Sequence, residues 1–194
     1  LVVLKDGEHG SDWLLEFKNV SFGYEDNQHV LDDVSFHLEK NKTYALVGPT
    51  GGGKTTMAGL MVRLHDPVKG IVYFKGRDIR TYTQAELGDS IGVILQDPFL
   101  FSGTVGENIR YGNRNLDAMS DDDLNAAMKR KDLGHLLERF EDGLKSPVND
   151  TAENISIGQK QLISFIRILL REPELLIMDE ATANIDTVTE QILT

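Results

Sequence analysis

The sequence predicts an α/β fold, and three observations carry that expectation. Short β-like runs alternate with helical stretches along the chain. Residues 175–178 (LLIM) form a continuous apolar run, the pattern of a strand buried on both faces of a parallel sheet. A glycine-rich turn at 48–53 joins an apolar run to a helical one. Element by element, residues 13–18 (WLLEFK) read as a strand, and 43–47 (TYALV) as a short strand ending at glycine. Residues 54–64 read as a helix, with Met57, Leu60, Met61 and Leu64 at spacings of three and four. Residues 71–74 (IVYF) and 91–95 (IGVIL) are further strands. Residues 157–171 are helical, and Leu162, Ile163, Ile166, Leu169 and Leu170 mark their core face. Between about 105 and 155 the character changes to three helix-like pieces without clear strands, which reads as a helical insertion. Its charge runs, DDD at 121–123 and KRK at 129–131, read as solvated faces. Asp66-Pro67, Lys69-Gly70 and Ser102-Gly103 are turn signals within one domain spanning 1–194.

Composition narrows the function classes. The 194 residues are 40% hydrophobic, enough for a real core. Twenty Lys and Arg against 31 Asp and Glu leave a net charge of −11. A surface this acidic repels nucleic-acid phosphates and anionic headgroups, so no nucleic-acid partner and no direct membrane insertion are expected. No apolar run approaches the roughly 18 residues of a membrane span. Cysteine is absent, which removes disulfides, Cys-ligated zinc and thiol catalysis. No His, Asp and Glu group has a zinc spacing, and His135 reads as a surface residue. The chain opens on leucine without a basic n-region, so it is expected to be a fragment rather than to carry a signal peptide.

The chemistry concentrates at Gly48-Pro49-Thr50-Gly51-Gly52-Gly53-Lys54-Thr55, which fits G-x-x-x-x-G-K-[ST]. Glycines let backbone N–H groups converge on an anion without Cβ obstruction. The helix that follows adds the partial positive charge of its N-terminus. Lys54 is expected at the β- and γ-phosphates of a nucleotide, and the Thr55 hydroxyl on Mg²⁺. Thr56, at the helix start beside them, is a further candidate for contacting the nucleotide. The apolar strand 175–178 then ends in Asp179-Glu180. A parallel strand next to the phosphate loop would deliver Asp179 to the Mg²⁺ shell. Glu180 would then stand near the γ-phosphate, able to orient or deprotonate the attacking water.

With these motifs in order, the chain resembles the ATP-binding cassette family from about Leu14 to Gln191. Tyr24, in Val-Ser-Phe-Gly-Tyr, is similar to the aromatic that stacks on adenine. Gln96 is similar to the family glutamine that touches Mg²⁺ and the attacking water and couples the site to a partner domain. Residues 96–109 (QDPFLFSGTVGENI) resemble exporter-type cassettes in particular. Ile155-Ser156-Ile157-Gly158-Gln159 stands where the family signature Leu-Ser-Gly-Gly-Gln belongs. From the residues alone, Ser156 caps the helix behind it, and the N–H groups there can bind an anion. The resemblance makes that anion the γ-phosphate held by a second cassette, contacted by Ser156, Gly158 and Gln159. Residues 181–186 (ATANID) resemble the loop at the dimer interface, with Asp186 structural.

The resemblance implies a P-loop NTPase core with a mainly parallel sheet, an N-terminal antiparallel β subdomain and an inserted α-helical subdomain. It implies ATP and Mg²⁺ as cofactors, with hydrolysis driving export. The partners implied are a second cassette and a transmembrane domain that holds this chain at the cytoplasmic face of a membrane. Two departures stand out. The family's switch histidine lies beyond Glu180, yet all five histidines precede it and the chain ends at Thr194, so a C-terminally truncated cassette with weak or absent isolated hydrolysis is expected. Ile157 replaces the first signature glycine, which weakens both composite sites of a homodimer but one of a heterodimer. A soluble, non-transport cassette ATPase and a non-hydrolysing nucleotide-gated regulator are the alternative readings.

Overall fold

The computed structural model of the chain describes residues 13–25, 29–94, 98–113, 115–149 and 154–178. The chain divides at Ile91 into two compact units.

The first unit begins with alternation. In β1 (Leu15–Phe22) Leu15 and Phe17 point to the core, and after an irregularity Val20 and Phe22 do. β1 pairs antiparallel with β2 (Leu31–Leu38), where Phe17 opposes and stacks on Phe36 with ring centroids 4.6 Å apart. Residues 42–49 carry no regular structure and lead into α1 (Lys54–Met61). β3 (Lys69–Phe74) returns antiparallel along the other edge of β1, and β4 (Arg77–Asp78) completes a sheet of order β2-β1-β3-β4. The register of β1 slips after Phe17 against β2 and after Lys18 against β3. Gly70 sits at that slip with φ +77°, and a Cβ there would come within 2.2 Å of the Asn19 carbonyl oxygen. Only glycine fits. α2 (Gln84–Ser90) follows a 3-10 turn and starts from a capping box. Thr83 Oγ1 accepts from Glu86 N–H at 3.2 Å, and Glu86 Oε2 accepts from Thr83 N–H at 2.7 Å.

Two sequence expectations are corrected in this unit. Residues 43–47 are not a strand: Tyr44, Leu46 and Val47 are exposed, Val47 to 88%. A strand exists by pairing, and the four-stranded sheet of this unit has its edges at β2 and β4, neither of which takes the segment up. α1 also ends three residues early, leaving Leu64 exposed rather than in the core. Leu64 N–H donates to Gly59 O at 2.8 Å and Arg63 N–H to Leu60 O at 3.1 Å, the paired bonds of a Schellman turn. Arg63 takes the left-handed φ of 55° that glycine usually fills. Its guanidinium donates to Tyr82 O at 2.8 Å and to Asp66 Oδ1 at 3.2 Å, which holds the turn closed.

The second unit opens within β5 (Ile91–Ile94) and carries β6 (Gly103–Thr104), α3 (Val105–Arg110), α4 (Asp121–Arg130), β7 (Pro147–Val148), α5 (Ile157–Leu169) and β8 (Leu175–Met178). β5 lies beside β8, and β6 pairs antiparallel with β7. Its core is one continuous cluster that includes Ile94, Val105, Ile109, Leu124, Met128, Leu136, Ile163 and Ile166. The stretch expected as helical insertion contains α3, α4 and 3-10 turns at Gly134–Arg139 and Gly143–Lys145. It also contains β7, a strand of two residues, too short to show any periodicity. The charge runs suit α4: three aspartates fill its first turn, and Lys129 and Arg130 its last, each opposing the helix dipole. They are not all idle surface, since Asp121 accepts from Arg110 at 2.6 Å and Lys131 pairs with Glu172. Asn108, 1% exposed, ties the preceding loop to α3: its Oδ1 accepts from Phe101 N–H at 2.8 Å, and its Nδ2 donates to Phe101 O at 2.8 Å and Thr104 O at 3.0 Å.

Candidate nucleotide-binding site

The glycine loop of the first unit is built to receive an anion. Gly51 and Gly53 both sit at left-handed φ, +78° and +82°. Gly53 is the N-cap of α1, and a Cβ there would stand 2.8 Å from Leu31 Cδ2, so backbone freedom and close approach both demand glycine. Gly52 N–H donates to Pro49 O at 3.0 Å, tightening the loop on itself. No side chain caps α1, and its first turn holds no acidic residue. Its first N–H groups therefore face outward with the positive end of the helix dipole behind them. Lys54 opens the helix, and its Nζ donates to the carbonyl oxygens of Gly48 at 2.8 Å and Pro49 at 2.9 Å. The ammonium thus stands across the loop mouth, where a phosphate oxygen would meet both it and the amides. The neighbouring Thr55 is exposed, a hard oxygen donor suited to Mg²⁺, while Thr56 is buried, 5% exposed.

Thr56 has a second role that the sequence did not reveal. Its Oγ1 lies 3.1 Å from Tyr24 Oη, a hydrogen bond from the end of β1 to the start of α1. Tyr24 is 61% exposed, with Phe22 edge-on at 5.1 Å and His65 edge-on at 5.4 Å. The loop, Lys54, Thr55, Thr56 and Tyr24 all lie in the first unit. His65, which belongs to no motif, reaches this corner because the Schellman turn folds it back over α1.

In the second unit, the expected cap at Ser156 is present. Ser156 Oγ accepts from Gln159 N–H at 3.2 Å, and Gln159 Oε1 accepts from Ser156 N–H at 3.0 Å, a complete capping box. Gln159 Nε2 also donates to Arg139 O at 2.7 Å, so this side chain is committed to building the helix start. Ile157 is the first residue of α5 and is 62% exposed; the space where a Gly158 Cβ would lie is open. Gln96, Asp179, Glu180 and residues 181–186 lie outside the described residues. Among the described residues no group of His, Asp and Glu is arranged to hold a metal ion.

A further surface lies in the segment that follows Gln96. Phe99, Phe101 and Tyr111 are exposed and pack on one another, with ring centroids at 4.9 Å and 4.1 Å. Arg167 lies over Tyr111 at 5.6 Å and donates to Asn108 O at 2.7 Å. Burial, with the nearby Arg171 charge, lowers its pKa from the ordinary arginine value. Residues 98–103 (PFLFSG) are too short an apolar stretch to show that Leu100 turns inward while Phe99 and Phe101 stay exposed. No helix among the described residues is long and apolar enough to cross a membrane.

A glycine loop with left-handed turns, a lysine at the first helical position and an uncapped helix start define a P-loop nucleotide-binding fold. The ABC transporter family pattern matches residues 31–183, and the chain belongs to that family. Over 176 residues, 91% of this chain, it is 47% identical to YfiC, an uncharacterized ABC transporter ATP-binding protein of Bacillus subtilis, and covers 29% of that protein. It is 42% identical to the mitochondrial iron-sulfur clusters transporter atm1 of Neurospora crassa, covering 92% of this chain and 25% of that one. It also resembles the solved structure of a bacterial Atm1-family ABC exporter with ATP bound, at a TM-score of 0.79 and 36% identity, covering 92% of this chain and 31% of the other. The chain thus spans between a quarter and a third of the length of these relatives. The fold is the mixed α/β architecture of an ABC exporter's nucleotide-binding domain, and its family is ATP-binding.

Proposed function

We propose that the chain, residues 1–194, is a single nucleotide-binding domain that binds and hydrolyses ATP to power an ABC exporter. The loop geometry carries this reading: Lys54 poised over the carbonyls of Gly48 and Pro49, at the start of a helix that no side chain caps. Gly48 to Gly53 and Lys54 hold the phosphates, Thr55 with Gln96 and Asp179 holds Mg²⁺, and Tyr24 takes the adenine face. Stacking of this kind is worth about 1–3 kcal/mol. Mg²⁺ supplies charge neutralisation at the β- and γ-phosphates. Glu180 and Gln96 orient the attacking water, and Glu180 accepts its proton. Two such domains close around two Mg·ATP, with Ser156, Gly158 and the α5 helix start of each facing the γ-phosphate of the other. ATP binding favours the closed pair only by its differential affinity for it, and hydrolysis releases that bias. The Phe99–Phe101–Tyr111 patch, just after Gln96, is the surface through which the motion reaches a transmembrane domain at the cytoplasmic face of a membrane. A relative named as an ATP-binding/permease protein, YheH of Bacillus subtilis at 40% identity, supports that partnership.

The decisive experiment is Mg·ATP titration of the full-length protein and its Lys54→Ala variant. Losing a charge-assisted donor lowers affinity by about ten- to a hundredfold. Unchanged affinity in the variant would overturn the site.

A further inference from the structure

We infer that His65 is a positioning residue for the nucleobase, holding Tyr24 in the orientation that stacks on adenine. The inference rests on the reading of Tyr24 as the adenine platform and goes one step beyond it. Tyr24 is exposed at the end of β1, where an aromatic ring on a mobile side chain would sample several rotamers. Three contacts limit it: the hydroxyl bond to Thr56 at 3.1 Å, Phe22 edge-on at 5.1 Å and His65 edge-on at 5.4 Å. Phe22 and His65 also touch each other, with ring centroids 5.3 Å apart, so the three rings form one closed cluster. The hydroxyl bond fixes one end of the tyrosine, and the rings fix its tilt.

His65 is itself placed, not left to chance. The Schellman turn at Arg63 reverses the chain at the end of α1. It lays the imidazole against that helix at Gly59, where His65 Cδ2 lies 3.7 Å from the point a Cβ would occupy. A rigid floor therefore supports the ring that supports Tyr24. Ligand affinity depends on this because ordering a platform before binding removes an entropy cost from the binding step. The turn runs back from the same helix that opens at the phosphate loop, so the base and phosphate contacts are carried on one element.

The test is a set of Kd measurements on the full-length protein with two probes, Mg·ATP and inorganic tripolyphosphate. Edge-to-face aromatic pairs couple strongly enough that His65→Ala should weaken Mg·ATP binding about two- to tenfold. Tripolyphosphate, which has no base, should bind the variant as it binds the parent. His65→Phe, which restores an edge, should recover Mg·ATP affinity to within about twofold of the parent on the same scale. In a Tyr24→Ala background, His65→Ala should add nothing for Mg·ATP. Equal weakening of both probes would assign His65 to the helix end alone and overturn the inference, as would additive losses in the double variant. If Tyr24→Ala weakens Mg·ATP but His65→Ala does not, the inference fails while the adenine platform stands. If Tyr24→Ala leaves Mg·ATP unchanged, the platform reading fails and the inference with it.

Discussion

Lys54 donates to two carbonyls of its own loop, so an arriving phosphate competes with backbone oxygen as well as with water. The exchange favours the phosphate because its oxygens carry full negative charge, which adds Coulomb attraction to a bond that a neutral carbonyl makes with the ammonium alone. Gly53 makes the loop possible and sets the next expectation. Gly53→Ala puts a side chain at left-handed φ and against Leu31, costing at least about 1–2 kcal/mol in conformation alone. Thermal unfolding should show this as a drop of roughly 2–8 °C, given about 2–4 °C per kcal/mol for a chain of this size. Thr56→Val tests the other anchor. It removes the partner of the Tyr24 hydroxyl at a buried position that accepts an apolar side chain, so Mg·ATP should weaken about two- to tenfold. Tripolyphosphate titrated in parallel should show no change. The glycines, Lys54 and Thr55 were legible because fixed spacing encodes their geometry. The Thr56 bond and the His65 ring were not. Both depend on β1 folding against α1, and the turn that aims His65 has arginine where a glycine would have signalled a helix end.

Helix starts show how elements are secured, and one of them responds to pH. Glu86 in the α2 capping box accepts from the Thr83 backbone N–H and hydroxyl, which lowers its pKa from the ordinary carboxylate value. A depressed carboxylate contributes stability that is complete above its unfolded pKa, about 4.3, and is lost as pH falls through the lower folded value. Glu172 is lowered by its bond to Lys131, with the same sign. Melting temperature followed downward from neutral pH should therefore decline below about pH 4.3. Glu86→Gln keeps an acceptor but cannot titrate, so its decline should be shallower; an identical decline would remove the box as a source of acid sensitivity. Among elements, those with a hydrophobic period were the legible ones: β1, β3, β5, β8 and α5 stand close to where apolar spacing put them. Residues 43–47 show the limit of an apolar run: TYALV predicts a buried, paired strand, and the segment is neither paired nor buried. β6 and β7 were invisible because two-residue strands owe their existence to the loop that Asn108 ties down.

At the scale of the whole molecule, the question is how the signature helix shapes the assembly. α5 begins with the complete Ser156–Gln159 box, so its N-terminus is rigid and its amides are aligned for an anion. Ile157 leads that terminus with its side chain in solvent, while beside it the space at Gly158 is open. If two cassettes close as proposed, the exposed Ile157 side chain would stand between a facing γ-phosphate and these amides, whereas the chain's own phosphate loop keeps every residue of its motif. On that arrangement a hindered face beside an intact one would favour pairing with a different subunit, whose own signature would complete the site over Lys54. Ile157→Gly in the full-length assembly separates the two arrangements. In a heterodimer it should restore hydrolysis at the partner's phosphate loop and leave the rate over Lys54 unchanged. In a homodimer it should raise both sites together. Nucleotide trapping resolved by subunit, with Glu180→Gln silencing this chain's site, reads the difference directly. A rate that does not respond to Ile157→Gly would mean that the γ-phosphate never approaches this helix, and the composite-site arrangement would fall with it.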